Sequence, residues 1–284
     1  MTTAKPILLL HVGMPKTGTT SFQAQCQEHE AALRAGGLLY PRSARVERYP
    51  NHVLLAMELF RPMRGLARSR ALRDLLAEIA SSRCGRVLIS GEEMSMLWRR
   101  PDLLTGLRSA FEESGVEVHV LMCRRPAESF VPALYGTLVR QGLGMRREEF
   151  ERQARQTGQV TVPALPEWPK RTFCTDPDLL VRGFSEVFGP DRLHVIDYVP
   201  SGMTTRLVES QAWFFGEEAS LFSDESRENV SGDADGRRRL EDLLAEAQGS
   251  TVWRSTAWVR SPVAREIRNR VGDVATRLLR RDGS

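Results

Sequence analysis

Residues 7–23 read Ile7-Leu8-Leu9-Leu10-His11-Val12-Gly13-Met14-Pro15-Lys16-Thr17-Gly18-Thr19-Thr20-Ser21-Phe22-Gln23. A short apolar run leads into a turn rich in Gly and Thr, and a helix-forming segment follows the turn. A strand, a turn and a helix in this order direct several backbone N–H groups towards an anion. The stretch therefore predicts a loop that binds a phosphate or sulfate group.

The position of the lysine separates this loop from the usual nucleotide-binding loop. That loop reads G-x-x-x-x-G-K-[ST], with a Lys directly after the second Gly and a hydroxyl group for Mg²⁺. Here Gly13 and Gly18 keep the spacing, but Thr19 follows Gly18 and the lysine lies inside the loop at Lys16. An ATPase or GTPase of the usual kind would lack its charge clamp, so the loop favours a different terminal anion.

Lys16 is also unusual in composition, because only Lys5, Lys16 and Lys170 are lysines among the 40 Lys and Arg residues. An ammonium group can donate to a single oxygen and follow it, whereas a guanidinium group prefers a bidentate contact. The residue type therefore indicates contact with one oxygen atom of the anion. A surface lysine in a tight turn is the alternative interpretation.

The motif Pro15-Lys16-Thr17-Gly18-Thr19-Thr20 resembles the 5′-phosphosulfate loop of the sulfotransferases that use 3′-phosphoadenosine 5′-phosphosulfate (PAPS). The longer string from His11 to Gln23 is most similar to the small bacterial members of that family. The resemblance implies that Lys16 contacts the bridging oxygen of PAPS and balances charge on the leaving phosphate. It also implies that the loop and the first helical turn hold the 5′-phosphosulfate. The residues assigned to this group are Lys16, Thr17, Gly18, Thr19, Thr20 and Ser21.

The rest of the chain alternates between strand and helix patterns. Further strands are predicted at 86–90, 116–123 and 192–198. Helices are predicted at 19–35, 51–60, 68–81, 101–113, 127–141, 146–156, 176–188 and 202–216, with a proline-rich loop at 160–171. This spacing is typical of a doubly wound parallel sheet. We therefore expect an α/β fold, a P-loop-type parallel sheet flanked by helices. It should form one domain over residues 1–284, with a helical C-terminal part at 237–247 and 262–281.

Sulfuryl transfer requires a base that accepts the proton of the attacking hydroxyl or amine. Glu92 is one candidate, because its strand has the place in the chain of the family strand that bears the catalytic His. His52 is the other, because it follows a region that lines the acceptor site in relatives. Both can contribute. A structural role is the alternative for each, since a lone His is usually structural and neighbouring glutamates often cap a helix.

Arg124 ends a predicted strand, and the carboxyl ends of parallel strands are where ligands bind. The resemblance implies that Arg124 binds the 3′-phosphate of PAPS, together with a Ser eight residues later. The chain departs from the family there, because that position is Pro132, and Ser129 is the nearest substitute. A solvated charge at a strand end is the alternative interpretation of Arg124.

Composition restricts the partners. The net charge of +4 suits an anionic co-substrate but is too small to indicate nucleic acid. The four cysteines form no C-x-x-C pair, so no zinc site or redox dithiol is expected. The apolar run at 6–12 is too short for a signal peptide or a membrane span, so we expect a cytoplasmic protein that does not bind membranes. The oligomeric state stays open.

The expected function is transfer of the sulfuryl group of PAPS to a hydroxyl or amine of a small molecule or glycan, releasing adenosine 3′,5′-bisphosphate. No metal is required, because Lys16 and the loop supply the positive field. One alternative is a phosphotransferase of the same fold that uses ATP and Mg²⁺, with Glu92 in place of an acidic metal ligand. Another is a nucleotide-binding protein without catalysis, which Pro132 in place of the Ser favours. The acceptor is not indicated by the sequence.

Overall fold

The computed structural model describes residues 5–46, 50–59, 66–165 and 170–224. The chain divides into two compact units, of which the first contains residues 5–127 and 176–224 and the second residues 128–175, each with the gaps just given. The single domain over residues 1–284 stays a prediction. The helices predicted at 237–247 and 262–281 lie outside the described residues.

A parallel sheet forms the centre of the first unit. The strands of the described chain are β1 (Ile7–His11), β2 (Leu38–Leu39), β3 (Arg86–Ser90), β4 (Glu117–Arg124), β5 (Gln159–Val162), β6 (Arg171–Cys174) and β7 (Leu193–Asp197). Five of them form the sheet in the order β2-β3-β1-β4-β7, and every neighbouring pair is parallel. In the second unit, β5 and β6 pair antiparallel.

Helices alternate with these strands along the chain. They are α1 (Thr19–Glu28), α2 (Glu30–Ala35), α3 (Val53–Leu59), α4 (Arg70–Ser81), α5 (Pro101–Glu113), α6 (Ala127–Arg140), α7 (Arg147–Thr157), α8 (Pro177–Phe188), α9 (Met203–Ser210) and α10 (Ala212–Phe215). Short 3₁₀ helices span Leu66–Arg68, Glu92–Arg99, Pro190–Arg192 and Gly216–Leu221. The predicted fold class, an α/β fold with a P-loop-type parallel sheet and flanking helices, is confirmed.

β1 is buried on both faces, which explains why its sequence is almost continuously apolar. Leu8, Leu9 and Leu10 are at most 1% exposed. Leu9 packs in a cluster with Phe22 of α1 and Leu207 of α9, while α5 and α8 pack against the neighbouring strand β4. Burial of each such leucine contributes about 1.5–3 kcal/mol. The carboxyl end of β1, from which the predicted loop begins, is therefore fixed by the core.

Two predicted elements differ from the structure. The helix predicted over 19–35 is divided at His29 into α1 and α2, since the backbone of His29 leaves helical geometry (φ −93°, ψ 14°). The segment predicted as a loop, residues 160–171, includes three of the four residues of β5 and the first residue of β6. The alternation of Val160 and Val162, both buried, supports pairing of these strands, and this short signal was outweighed in the sequence by the prolines beside it.

Candidate functional site

The loop between β1 and α1 is held by hydrogen bonds to the neighbouring strand and within itself. The N–H groups of Val12 and Met14 donate to the carbonyl oxygens of Leu121 and Cys123, at 2.9 and 3.1 Å. Thr17 is buried, and its Oγ1 donates to the Met14 carbonyl oxygen at 2.7 Å. The end of β4 and the Thr17 hydroxyl therefore fix the path of the loop.

Two residues of the loop adopt the left-handed backbone conformation. Gly18 has φ 76°, which glycine adopts without steric cost, and Lys16 has φ 64°. For a residue with a Cβ atom this conformation is unfavourable, and such residues are found preferentially at functional sites. The Lys16 side chain is exposed, so the strained position presents the ammonium group at the surface of the loop.

The amino terminus of α1 follows directly. Gly18 is the N-cap residue, and within the described chain no side chain caps this helix. The N–H groups of a first helical turn lack intrahelical acceptors and lie at the positive end of the helix dipole. Thr19 is buried and Thr20 is exposed, while Ser21 Oγ accepts from Gln25 Nε2 at 3.3 Å. Loop and helix together provide the donor set that binds an anion.

Glu92 is half-buried at the start of the 3₁₀ helix that follows β3. The Thr19 hydroxyl donates to Glu92 Oε2 at 3.4 Å, so the carboxylate lies beside the first turn of α1. Burial raises the pKa of Glu92 to about 7, and the Glu93 carboxylate adds to the rise, while the Lys16 ammonium and the Thr19 hydroxyl oppose it. A carboxylate with this pKa can accept a proton near neutral pH. The structure thus brings Lys16, Thr19 and Glu92 together.

His52 is fully buried, and both of its ring nitrogens contact the backbone. The Ser90 N–H group donates to His52 Nδ1 at 3.1 Å, which places the ring proton on Nε2. Nε2 donates to the Pro41 carbonyl oxygen at 3.0 Å. Burial lowers the pKa of His52 to about 4, so the ring is neutral. His52 joins two backbone segments and has no exposed nitrogen.

Arg124 forms ion pairs within the first unit. Its Nε lies 2.5 Å from Asp197 Oδ1, and its Nη1 lies 3.5 Å from Asp178 Oδ1. Ser129 is exposed near the start of α6 and belongs to the second unit. The assignment of both residues to a 3′-phosphate stays a prediction.

Arg125 is the arginine that contacts the loop. Its Nη1 donates to the Lys16 carbonyl oxygen, and its backbone N–H donates to Met14 Sδ at 3.4 Å. The guanidinium group lies 4.4 Å from the centre of the Tyr198 ring, a cation–π contact. The sequence analysis selects Arg124 and gives Arg125 no role, because the resemblance concerns an arginine at the strand end and a contact with the Lys16 carbonyl is not visible in the sequence.

A buried polar network lies beneath the loop, and sequence reasoning did not identify it. His11 Nδ1 lies 2.8 Å from Ser90 Oγ, which also accepts from Gln23 Nε2 at 3.0 Å. The sequence feature that could have indicated the network is the presence of polar residues at the ends of two buried strands, β1 and β3, and on the first helix. Such residues also occur as isolated core positions, so the pattern by itself predicts no network.

In the described part of the chain, no group of three or more His, Cys, Asp or Glu side chains could hold a metal ion. Among the helices of the same residues, none combines the length and the apolar character needed to cross a bilayer. Cys26, Cys84, Cys123 and Cys174 are buried free thiols.

Comparison with known proteins gives limited similarity. No protein-family model matches the chain, and no curated protein matches it. One similar solved structure is a sulfotransferase from Alicyclobacillus acidocaldarius, with a TM-score of 0.41 and 15% identity over 88% of this chain and 96% of that chain. Another comes from the PezAT chromosomal toxin–antitoxin system of Streptococcus pneumoniae, with a TM-score of 0.36 and 13% identity over 87% and 89%. Similarity at this level identifies neither a family nor an activity.

Proposed function

We propose that the protein is a sulfotransferase that moves the sulfuryl group of PAPS to a hydroxyl, or an amine, of a small molecule or glycan. One observation carries the proposal. Lys16 lies in a strained loop at the amino terminus of α1, which no side chain of the described residues caps. Glu92, whose pKa is about 7, is hydrogen-bonded to Thr19 of the same helix. A cation, a set of N–H donors and a base thus lie around the first turn of α1.

The donor side of the reaction belongs to the loop. We assign the N–H groups of residues 17–20 and the hydroxyl groups of Thr20 and Ser21 to the 5′-phosphosulfate of PAPS, whereas the Thr19 hydroxyl, which donates to Glu92, positions that carboxylate. Lys16 donates to the bridging oxygen between phosphorus and sulfur. Donors that are already in place stabilise the charge that develops there without rearrangement. The start of α1 supports this assignment, since its N–H groups, which no side chain in the described part of the chain caps, can donate to the oxygens of an anion.

The acceptor side belongs to Glu92. Its carboxylate accepts the proton of the acceptor hydroxyl as the acceptor oxygen forms a bond to sulfur. The bond between sulfur and the bridging oxygen breaks, and its electron pair stays on that oxygen, which leaves with adenosine 3′,5′-bisphosphate. Lys16 neutralises the new negative charge. The products are the sulfated acceptor, the bisphosphate and a protonated Glu92, which returns its proton to solvent.

Glu92 is a better base than His52 for geometric reasons. His52 Nδ1 accepts from the Ser90 N–H group and Nε2 donates to the Pro41 carbonyl oxygen. Taking up a proton from an acceptor would require His52 to break a backbone hydrogen bond inside the core. Glu92 needs no such change, so we propose Glu92 as the base and His52 as a structural residue.

Transfer of labelled sulfuryl from PAPS to a pool of phenols, amino sugars and oligosaccharides tests the proposal. We expect labelled product with the wild-type chain and none above background with Lys16→Ala. Release of labelled phosphate from ATP in the presence of Mg²⁺, without sulfuryl transfer, would contradict the proposal and favour the phosphotransferase. Tight binding of PAPS with no transfer to any pool would favour a binding protein.

A further inference from the structure

His11 carries a buried ring nitrogen that the proposed reaction does not use. The residue is fully buried at the end of β1, with its ring edge-on to Phe22 at 5.6 Å between centroids. Nδ1 lies 2.8 Å from Ser90 Oγ. Nε2, by contrast, has no hydrogen-bond partner among the residues that the structure describes. This difference between the two nitrogens raises the question of what Nε2 binds.

The hydrogen bonds of Ser90 decide which nitrogen of His11 carries the proton. A serine hydroxyl has one proton to donate, and Ser90 Oγ already accepts from the Gln23 amide. Within the described chain, His11 Nδ1 is the remaining partner of that hydroxyl, so Ser90 donates to Nδ1 and the ring proton lies on Nε2. Burial lowers the pKa of His11 to about 4, so the ring stays neutral. Nε2 is therefore an N–H donor for which the described residues provide no acceptor.

This donor faces the floor of the loop. A Cβ atom placed on Gly13 would lie 3.1 Å from His11 Nε2 and 3.4 Å from Thr17 Oγ1, so both polar atoms border the space that a side chain at position 13 would fill. A buried donor without an acceptor is unfavourable and rare in native proteins. The glycine leaves open the space in which an acceptor for Nε2 could lie.

We infer that the Nε2–H group of His11 is a binding group of the loop, and that it becomes hydrogen-bonded when the loop holds its anion. The acceptor is an oxygen of the anion, or of a water molecule that the anion traps beside Gly13. The inference rests on the proposed function, because it requires the loop to bind a phosphate or phosphosulfate group. His11 fixes the position of the anion and takes no part in forming or breaking bonds.

Two substitutions separate the roles of the two ring nitrogens. In His11→Gln the side-chain amide reaches the place of Nε2 and can donate there, whereas in His11→Asn the amide reaches the place of Nδ1 and leaves the floor of the loop without a donor. The probes are inorganic pyrophosphate and adenosine 3′,5′-bisphosphate, titrated calorimetrically into the full chain. We expect His11→Gln to bind within about threefold of the wild type and His11→Asn to bind about five- to tenfold more weakly.

A spectroscopic measurement reports on the same donor without a substitution. In protein labelled with ¹⁵N-histidine, we expect the free protein to show the proton of His11 on Nε2. Addition of pyrophosphate should shift the Nε2 signal of His11 and leave the signals of His52, whose nitrogens contact the backbone, unchanged. A purely structural histidine would show no such selective shift.

The outcomes distinguish this inference from the proposed function. If the wild-type chain binds neither pyrophosphate nor the bisphosphate, both are wrong. If the wild type binds but His11→Asn binds as tightly as His11→Gln, the inference alone is wrong. A proton on Nδ1 in the free protein, or an Nε2 signal that does not respond to the anion, would also overturn it. Should His11→Asn fail to fold, the spectroscopic result decides.

Discussion

Two regions at opposite ends of the parallel sheet differ in how their hydrogen-bond donors are used. At the amino edge, Arg86 begins β3, and its guanidinium group donates to the carbonyl oxygens of Phe214 and Phe215 at 2.9 and 2.8 Å and to Glu218 at 2.9 Å. At the carboxyl edge, the described residues provide neither a side-chain cap for the start of α1 nor a hydrogen-bond partner for His11 Nε2. The Arg86 side chain finds its acceptors within the protein, whereas the loop after β1 and the start of α1 present donors that a ligand can use.

The difference separates residues that stabilise the sheet from residues that are available for function. Hydrogen bonds that are already formed in the free protein stabilise the fold. Buried donors without an acceptor and backbone in an unfavourable conformation reduce stability, and they are retained at functional sites. Substitutions at the amino edge should therefore lower stability with little effect on turnover. Substitutions in the loop and around Glu92, at the carboxyl edge, should lower turnover with little loss of stability.

Lys16→Ala should have the largest effect on turnover. Removal of the ammonium group eliminates the charge that stabilises the leaving oxygen, and we expect kcat to fall by about 10³-fold. Because the side chain is exposed, thermal unfolding should change little. Arg86→Ala is the matched contrast, with a loss of about 2–4 kcal/mol in the free energy of unfolding and nearly normal turnover of the folded protein. Equal effects of the two substitutions on turnover would contradict the division between the edges.

Glu92→Gln should reduce turnover by about 10²-fold or more, since the amide cannot accept the proton. The same substitution should stabilise the fold. The pKa of Glu92 is about 7 in the folded protein and 4.5 in the unfolded chain, because the folded protein disfavours the ionised form. The free energy of unfolding of the wild type therefore falls as pH rises from 4.5 through 7. At pH 8 we expect the free energy of unfolding of Glu92→Gln to exceed that of the wild type by about 1–3 kcal/mol. A variant that is less stable and equally active would contradict the assignment.

Arg125→Ala should weaken binding of adenosine 3′,5′-bisphosphate by about tenfold, because the guanidinium group supports the Lys16 carbonyl and thereby the loop. Arg124→Ala is the control from the adjacent position, whose side chain pairs with Asp197 and Asp178. Calorimetric titration of both variants measures the difference. A larger loss of affinity in Arg124→Ala would instead support the sequence-based assignment of Arg124 to the 3′-phosphate.

Glu93→Gln should have the smallest effect, a change in the pH dependence of the reaction. The base must be ionised, so in the wild type kcat/KM should rise with pH around a midpoint near 7 and level off at higher pH. Because the Glu93 carboxylate helps to raise the pKa of Glu92, its removal should move the midpoint of that rise to lower pH. An unchanged midpoint would show that another group controls the profile.

The loop and the sheet could be predicted because their signals are local. The apolar run of β1, the glycine at 18 and the lysine at 16 are adjacent in the chain, and the geometry of a strand, turn and helix follows from them. Glu92 could be named for a similar reason, since it follows a strand, and parallel strands end at one edge of the sheet.

The roles of the histidines could not be predicted, because they depend on partners far away in the chain. The sequence offered His52 as a base, but its nitrogens contact backbone groups of Pro41 and Ser90. The sequence assigns no role to His11, yet its Nε2 has no hydrogen-bond partner among the residues that the structure describes. Which of two buried histidines keeps an incomplete hydrogen bond is set by side chains and carbonyl groups that only folding brings together.

Binding of adenosine 3′,5′-bisphosphate, compared with binding of ATP and Mg²⁺, distinguishes a sulfuryl-donor site from a nucleoside triphosphate site. Calorimetric titration of the full chain should show saturable binding of the bisphosphate at one site, at least tenfold weaker binding of ATP with Mg²⁺, and loss of the bisphosphate site in Lys16→Ala. Preference for ATP with Mg²⁺, or bisphosphate binding that Lys16→Ala leaves unchanged, would contradict the assignment of this loop to a sulfuryl donor.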